Sequence, residues 1–147
     1  MTCFVSLNIV IKNYNFLLIF EGNLNLETFH VGSVQEFKDR DKKVLILNDS
    51  EVGIFRMGKD FFAYENLCPH QGGPVCQGRL FSLVKENLDD NSKSHGRLYD
   101  ENNLNIVCPW HGLEFDIRTG KHPGNPKIKL KSFPIKVDRE EVYVTIK

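Results

Sequence analysis

Two short loops limit what this chain can fold into more than any other feature does, because each offers one thiol and one imidazole to a metal. The first loop spans residues 68–74 (CPHQGGP), and the second spans residues 108–112 (CPWHG). The histidine follows the cysteine by two residues in the first loop, as Cys68 and His70, and by three in the second, as Cys108 and His111. Four ligands of these types on turn-rich loops predict a metal site.

The order of cysteine and histidine along the chain indicates which metal the site holds. A single zinc ion accepts two cysteines and two histidines. Zinc-finger chains, however, usually place cysteine beside cysteine and histidine beside histidine. Here each loop contributes one of each, which favours a two-iron cluster clamped between the loops. Cys68 and Cys108 would then bind one iron and His70 and His111 the other, and a lone zinc remains the less favoured alternative.

Length and composition indicate one soluble globular domain. The chain has 147 residues, of which 41% are apolar and 26% are charged. Its formal net charge is zero, so nothing in the overall charge attracts it to nucleic acid or to an anionic membrane. Cysteines that bind a metal must be free thiolates, which favours a reducing compartment, and we therefore expect a cytoplasmic protein.

We expect residues 1–26 to be an N-terminal extension that precedes the domain at residues 27–147. Residues 3–20 are largely apolar, but Asn8, Lys12, Asn13 and Asn15 interrupt them. A membrane-spanning helix needs about 20 predominantly apolar residues. A secretory signal needs its basic residues ahead of the apolar run, whereas Lys12 lies inside it. The sequence therefore predicts neither a membrane span nor a cleaved signal.

Short runs of β-formers separated by turn residues predict an all-β protein. We expect strands at residues 29–31, 44–47, 52–57, 60–64, 104–107 and 113–117, and a terminal hairpin made of residues 128–137 and 142–146. A charged turn is expected at residues 38–43 and a rigid loop at residues 122–126. Residues 85–103 are polar and show no period, so we interpret them as a surface insertion between the two loops.

The two loops and their flanks resemble the Rieske [2Fe–2S] family, in particular its soluble ferredoxins and oxygenase-type domains. The resemblance rests on residues 68–74 and on residues 108–116 (CPWHGLEFD), with further similarity at residues 60–66 and 116–121. It covers residues 27–147. It implies a Rieske-type fold of three small antiparallel sheets, with the cluster-binding subdomain inserted in a β-framework. It also implies one [2Fe–2S] cluster per chain, bound by Cys68, His70, Cys108 and His111.

Four positions depart from the respiratory members of that family. Those proteins carry an extra cysteine in each loop, and the two form a disulfide; Gly73 and Trp110 stand at the matching positions. They also carry a serine and a tyrosine whose hydroxyls bond to sulfur, where this chain has Leu113 and Phe115. Losing these donors makes reduction of the cluster harder, so we expect a potential of about −150 mV, at the low end of the Rieske range.

The resemblance implies a one-electron carrier that moves electrons from a reductase to an oxygenase or similar redox enzyme. Such a protein is an electron-transfer component rather than an enzyme itself. One alternative is a small subunit of a redox enzyme complex of the nitrite-reductase type, although several such subunits lack the four ligands. Another is a binding module with a structural cluster. A catalytic oxygenase would need an iron site of two histidines and a carboxylate, which nothing in these 147 residues supplies.

Other residues near the loops have simpler interpretations. We expect Cys76 to be a small buried side chain and His122 to lie on the surface. Trp110 is expected to pack as a lid over the cluster loop. The basic residues between 118 and 136 form a solvated face, unless they border the cluster, where they would steer an acidic partner.

Overall fold

The computed structural model describes residues 26–147, which form twelve β-strands and two 3₁₀ turns. All strand pairs are antiparallel. The strands are β1 (Glu27–Ser33), β2 (Asp41–Leu47), β3 (Ser50–Met57), β4 (Asp60–Glu65), β5 (Arg79–Leu88), β6 (Ser94–Val107), β7 (Glu114–Asp116), β8 (Lys121–His122), β9 (Asn125–Lys129), β10 (Ser132–Phe133), β11 (Ile135–Asp138) and β12 (Glu141–Ile146), and the turns are Val34–Glu36 and Val75–Gln77. The prediction of an all-β fold of small antiparallel sheets is confirmed.

The strands of the described residues form four sheets rather than the three that we expected. Their orders are β1-β12-β11, β10-β4-β3-β2, β5-β6-β7 and β8-β9. The fourth sheet is the small β8-β9 hairpin. Residues 122–126, expected to be a rigid loop, instead contribute to both strands of this hairpin.

Strand β3 lies between two hydrophobic cores, because successive side chains of a strand point to opposite faces. Val52 and Ile54 belong to a core shared with β1, β4 and β12. Phe55 and Met57 belong to a second core. This double contact explains why β3 is a nearly continuous run of buried residues, whereas β12 alternates buried and half-buried positions.

The second core carries the two ligand loops. The first loop follows β4, and the second loop connects β6 to β7. Cys68 and Cys108 lie in this core with Ile106 and Phe115. The phenol of Tyr64, on β4, donates a hydrogen bond of 2.9 Å to the carbonyl of Ile117, just after β7. The framework therefore ties the strand before the first loop to the segment after the second.

The predicted strand at residues 128–137 was wrong as a single element. Residues 125–138 form three short strands, β9, β10 and β11, which belong to three different sheets. Pro134 lies between β10 and β11, and a proline has no N–H to donate to a sheet. The terminal hairpin itself is confirmed, because β11 pairs with β12 through Val137 and Val142.

The polar segment at residues 85–103 contains regular structure. Strands β5 and β6 continue through it as a long antiparallel hairpin in which Val84 pairs with Tyr99. Nearly all its side chains are exposed on both faces, so the segment has no alternation of apolar and polar residues to reveal its strands. Its interpretation as an insertion remains a prediction.

Within residues 26–147, the structure has no helix with the length and hydropathy needed to cross a bilayer. The predicted N-terminal extension lies outside the described residues, except for Leu26.

Candidate metal centre

The two loops share one backbone hydrogen-bonding pattern. In each loop the cysteine N–H donates to the carbonyl five residues later, and the N–H four residues later donates back to the cysteine carbonyl. The distances are 2.8 Å for Cys68 to Gly73, 2.8 Å for Gly72 to Cys68, 2.8 Å for Cys108 to Leu113 and 3.0 Å for Gly112 to Cys108. Gly72 and Gly112 have φ of +75° and +73°, a conformation that favours glycine.

The histidines occupy different positions in these matching loops. His70 is the third residue of its loop and His111 the fourth, so Trp110 stands where the first loop has His70. Both histidines are exposed. Their rings meet edge to face, with centroids 5.0 Å apart and an interplanar angle of 86°. The two loops thus bring both imidazoles together at the surface, although the cysteine–histidine spacings differ.

The two cysteines form the buried half of the site. Cys68 is 3% and Cys108 2% exposed, and both are free thiols. Burial raises the pKa of the Cys68 thiol, and a hydrogen bond with Cys108 raises it further. The backbone N–H groups of His70 and Gln71 act in the opposite direction, because they donate to the sulfur and stabilise a thiolate. The loop backbone thus supplies donors of the type that a thiolate ligand requires.

The arrangement of the donors fits a cluster of two irons. The thiol of Cys68 contacts that of Cys108, and the ring of His70 contacts that of His111. Thiol is paired with thiol and imidazole with imidazole. This arrangement suits a Rieske cluster, in which two thiolates bind one iron and two imidazoles bind the other.

Trp110 packs over the first loop, which confirms its predicted position as a lid. A Cβ atom added to Gly73 would lie 2.9 Å from both Cγ and Cδ2 of Trp110. It would also lie 3.2 Å from Sγ of Cys108. The indole nevertheless remains 58% exposed. It therefore covers the loop while presenting its outer face to solvent.

The side chains at positions 113 and 115 carry no hydrogen-bond donor. Phe115 is fully buried in the core that holds both cysteines, and Leu113 packs against that core. Leu113 contacts the ligand loop through its backbone, since its carbonyl accepts the N–H of Cys108. Neither side chain offers a hydroxyl to sulfur.

Sequence reasoning assigned no role to Asn66, which is 6% exposed and supports the first loop. Its Oδ1 accepts the N–H of Cys76 at 2.7 Å, and its Nδ2 donates to Glu51 at 2.7 Å. It therefore joins the start of the first loop to the 3₁₀ turn that follows it. The hint that the sequence offers for this role is that an amide residue, Asn66, stands two positions before Cys68.

A second support lies beside the second loop. Asn105 is 1% exposed, and its Nδ2 donates to Glu114 at 2.9 Å. Its Oδ1 has no hydrogen-bond partner among residues 26–147. Nδ1 of His122 donates to the carbonyl of Glu114 at 2.9 Å. His122 is half-buried, with its ring centroid 6.2 Å from that of Phe115. Our expectation of a surface histidine missed this contact, because nothing in the sequence shows that β8 lies beside β7.

Cys76 is fully buried, as predicted. Its Sγ lies 3.8 Å from the carbonyl of Tyr64 and 3.7 Å from that of Glu65. Burial raises the pKa of its thiol to about 12. Cys76 is therefore a packing residue with little thiolate character.

The fold and the site together define a small all-β domain in which two adjacent loops bring two cysteines and two histidines together. The family model of the Rieske [2Fe-2S] domain matches residues 27–134, and the chain belongs to this family. Its cofactor is accordingly a Rieske-type [2Fe–2S] cluster.

Two relatives and one solved structure illustrate the range of similar proteins. Human apoptosis-inducing factor 3 is 31% identical over 112 residues, which cover 76% of this chain and 15% of that protein. The 3-phenylpropionate/cinnamic acid dioxygenase ferredoxin subunit of Photorhabdus laumondii is 26% identical over 97 residues, covering 65% of this chain and 73% of that one. The ferredoxin of carbazole 1,9a-dioxygenase from Nocardioides aromaticivorans has a TM-score of 0.58 at 23% identity, over 82% of this chain and 98% of that chain. This last likeness shows the fold.

Proposed function

We propose that this chain is a one-electron carrier that accepts an electron from a reductase and passes it to an oxygenase or a similar redox enzyme. The observation that carries the proposal is the division of the site into two buried thiols and two exposed imidazoles. When bound, the Rieske cluster supplies a one-electron redox centre. The similarity to a ferredoxin subunit of a dioxygenase supports this role.

The four loop residues divide the binding task. Cys68 and Cys108 would hold one iron of the cluster, because their thiols are buried away from water and backbone N–H groups stabilise sulfur charge there. His70 and His111 would hold the other iron, and the exposure of their rings would let a partner approach closely. The free thiols suit a reducing compartment, and we place the protein in the cytoplasm.

Visible and electron paramagnetic resonance spectra of the purified protein test the four assignments. Cys68→Ser, His70→Ala, Cys108→Ser and His111→Ala should each lose the Rieske spectrum. Cys76→Ala and His95→Ala are matched controls, because they replace a cysteine and a histidine outside the two loops. A featureless spectrum with bound zinc would contradict the assignment.

A redox titration separates the carrier from its alternatives. The cluster-loaded protein should show a reversible wave of one electron. A loaded sample without such a wave would point to a structural cluster. Stable copurification with a larger redox enzyme would favour the subunit of an enzyme complex over a freely diffusing carrier.

A further inference from the structure

The segment at residues 117–137 has an uneven charge distribution that the proposed function leaves unexplained. It contains no acidic residue, although the whole chain is neutral. Its six basic residues are Arg118, Lys121, Lys127, Lys129, Lys131 and Lys136.

Acidic residues outside the segment neutralise three of these six. The pairs are Arg118 with Asp60 at 2.8 Å, Lys131 with Glu65 at 2.8 Å, and Lys136 with Asp138 at 3.8 Å. Lys121, Lys127 and Lys129 form no salt bridge with any residue in the range 26–147. Within residues 117–137, the positive charge that has no acidic partner is therefore confined to the β8-β9 hairpin.

The hairpin places two of these lysines directly opposite each other. Lys121 on β8 pairs in register with Lys129 on β9, and all three lysines are exposed. Directly opposed residues on antiparallel strands have Cβ atoms about 4.5–5.5 Å apart, and like charges there destabilise the pair. An anionic group bound at this hairpin would relieve that repulsion.

The hairpin is also tethered beside the candidate metal centre. His122, next to Lys121, donates to the carbonyl of Glu114 at 2.9 Å. Glu114 begins β7, three residues after His111. A partner that binds the hairpin therefore lies close to the loop that carries an exposed imidazole.

We propose that Lys121, Lys127 and Lys129 form a docking surface for the acidic face of a redox partner protein. The inference rests on the proposed function, since the partner is the protein that exchanges electrons with this one. Complementary charge accelerates encounter and orients the partner, and it does so most strongly at low ionic strength.

Two small oxidants of opposite charge test this surface on the reduced, cluster-loaded protein. One electron passes from the protein to hexacyanoferrate(III), giving hexacyanoferrate(II), or to tris(phenanthroline)cobalt(III), giving the cobalt(II) complex. Replacing all three lysines (Lys121→Gln, Lys127→Gln and Lys129→Gln) should slow the anionic oxidant by about tenfold at low salt. It should not slow the cationic oxidant.

A second readout does not depend on electron transfer. Calorimetric titration with an oligoglutamate peptide should show binding that weakens with added salt and is lost in the triple variant. The matched control is Lys38→Gln with Lys93→Gln and Lys147→Gln, which removes three exposed lysines from other parts of the chain. This control should keep both the rate with hexacyanoferrate and the peptide binding.

The possible outcomes separate the two proposals. Equal effects of the two triple variants would overturn the docking surface while leaving the carrier intact. A cluster-loaded protein that reacts with neither oxidant would overturn the carrier, and the docking surface with it. Lysine-dependent binding to phosphatidylserine vesicles, without binding to oligoglutamate, would assign the hairpin to a membrane surface instead and overturn the proposal.

Discussion

Gly73 lies directly beneath the indole of Trp110, so the two ligand loops touch at a position that has no side chain. A Cβ atom there would come within 2.9 Å of the indole and within 3.2 Å of the Cys108 sulfur. The first loop can approach the second this closely only because residue 73 is glycine.

Gly73→Ala should therefore destabilise the loaded protein by about 1–3 kcal/mol, the usual cost of overpacking. The thermal midpoint should fall, and the visible spectrum should disappear at a lower temperature than in the wild type. Gly124→Ala is the control, because a Cβ there approaches no atom more closely than 3.4 Å. Equal midpoints for the two variants would contradict the packing argument.

Positions 73 and 110 are also close enough to cross-link. We expect Gly73→Cys combined with Trp110→Cys to form a disulfide, since bridged residues need Cβ atoms about 3.5–4.5 Å apart. A bridge across a loop of this length should add about 3–4 kcal/mol to stability. Mass spectrometry with and without a reductant measures the bridge, and Trp110→Cys alone is the control. Two free thiols under oxidising conditions would show that the backbones diverge here.

The reduction potential should respond to a donor at position 113. The carbonyl of Leu113 accepts the N–H of Cys108. Leu113→Ser introduces a hydroxyl at the position where the respiratory family members described above carry one that bonds to sulfur. A hydrogen bond to a charged group contributes about 1.5–3 kcal/mol, and about 59 mV corresponds to a factor of ten for one electron. We therefore expect the potential to rise from about −150 mV by about 65–130 mV. Leu113→Ala separates the donor from the loss of bulk, and an equal shift in both variants would refute this explanation.

The ligand loops were predictable from the sequence because their chemistry is local. Cysteine, proline, histidine and glycine at fixed spacing determine both the donors and the turn, and neither requires knowledge of distant strands. The alternation in β12 likewise identifies a half-buried strand from adjacent residues alone. Cys76 was predictable for a different reason, since free cysteine is among the residue types most often buried.

What the sequence could not show depends on contacts between distant segments. The division of residues 125–138 among three sheets follows from their partners, which are β8, β4 and β12. The role of His122 depends on β8 lying beside β7. Strands β5 and β6 continue through residues 85–103 with exposed side chains on both faces, so backbone pairing rather than burial maintains them there.

Stability should fall at alkaline pH because of Cys76. Burial raises the pKa of its thiol from 9.0 to about 12, so the folded protein keeps this proton where the unfolded chain loses it. Above pH 9 the unfolded state binds fewer protons, and stability falls by up to about 1.4 kcal/mol per pH unit. The pKa of Tyr64 is also raised, chiefly by burial, which is common to the wild type and to Cys76→Ala; the smaller contribution from the charge of Cys76 exists only in the wild type.

Thermal unfolding of both proteins at pH 8 and pH 10.5 measures the effect. The wild type should lose more stability than Cys76→Ala between these two values. A parallel loss in both would mean that Cys76 does not titrate in the unfolded chain as expected.

The β5-β6 hairpin should tolerate shortening. Removing residues 85–98 and joining Val84 to Tyr99 through Asn-Gly keeps an existing cross-strand pair and supplies a favourable two-residue turn. The deleted residues lie outside both hydrophobic cores, so the shortened protein should keep its spectrum and fold. Circular dichroism and the visible spectrum measure this. Loss of the cluster in the shortened protein would show that the hairpin supports the loops.

The paired hydrogen bonds within each ligand loop have a consequence for engineering. Each loop closes on its own backbone between its cysteine and the residue five positions later, so much of its shape is encoded within six residues. Residues 68–73 and 108–113 are therefore natural cassettes for transplantation onto two adjacent hairpins of another β-scaffold. The host protein would have to hold the two cassettes at the correct separation. It would also have to provide a buried apolar surface beneath their cysteine sulfurs.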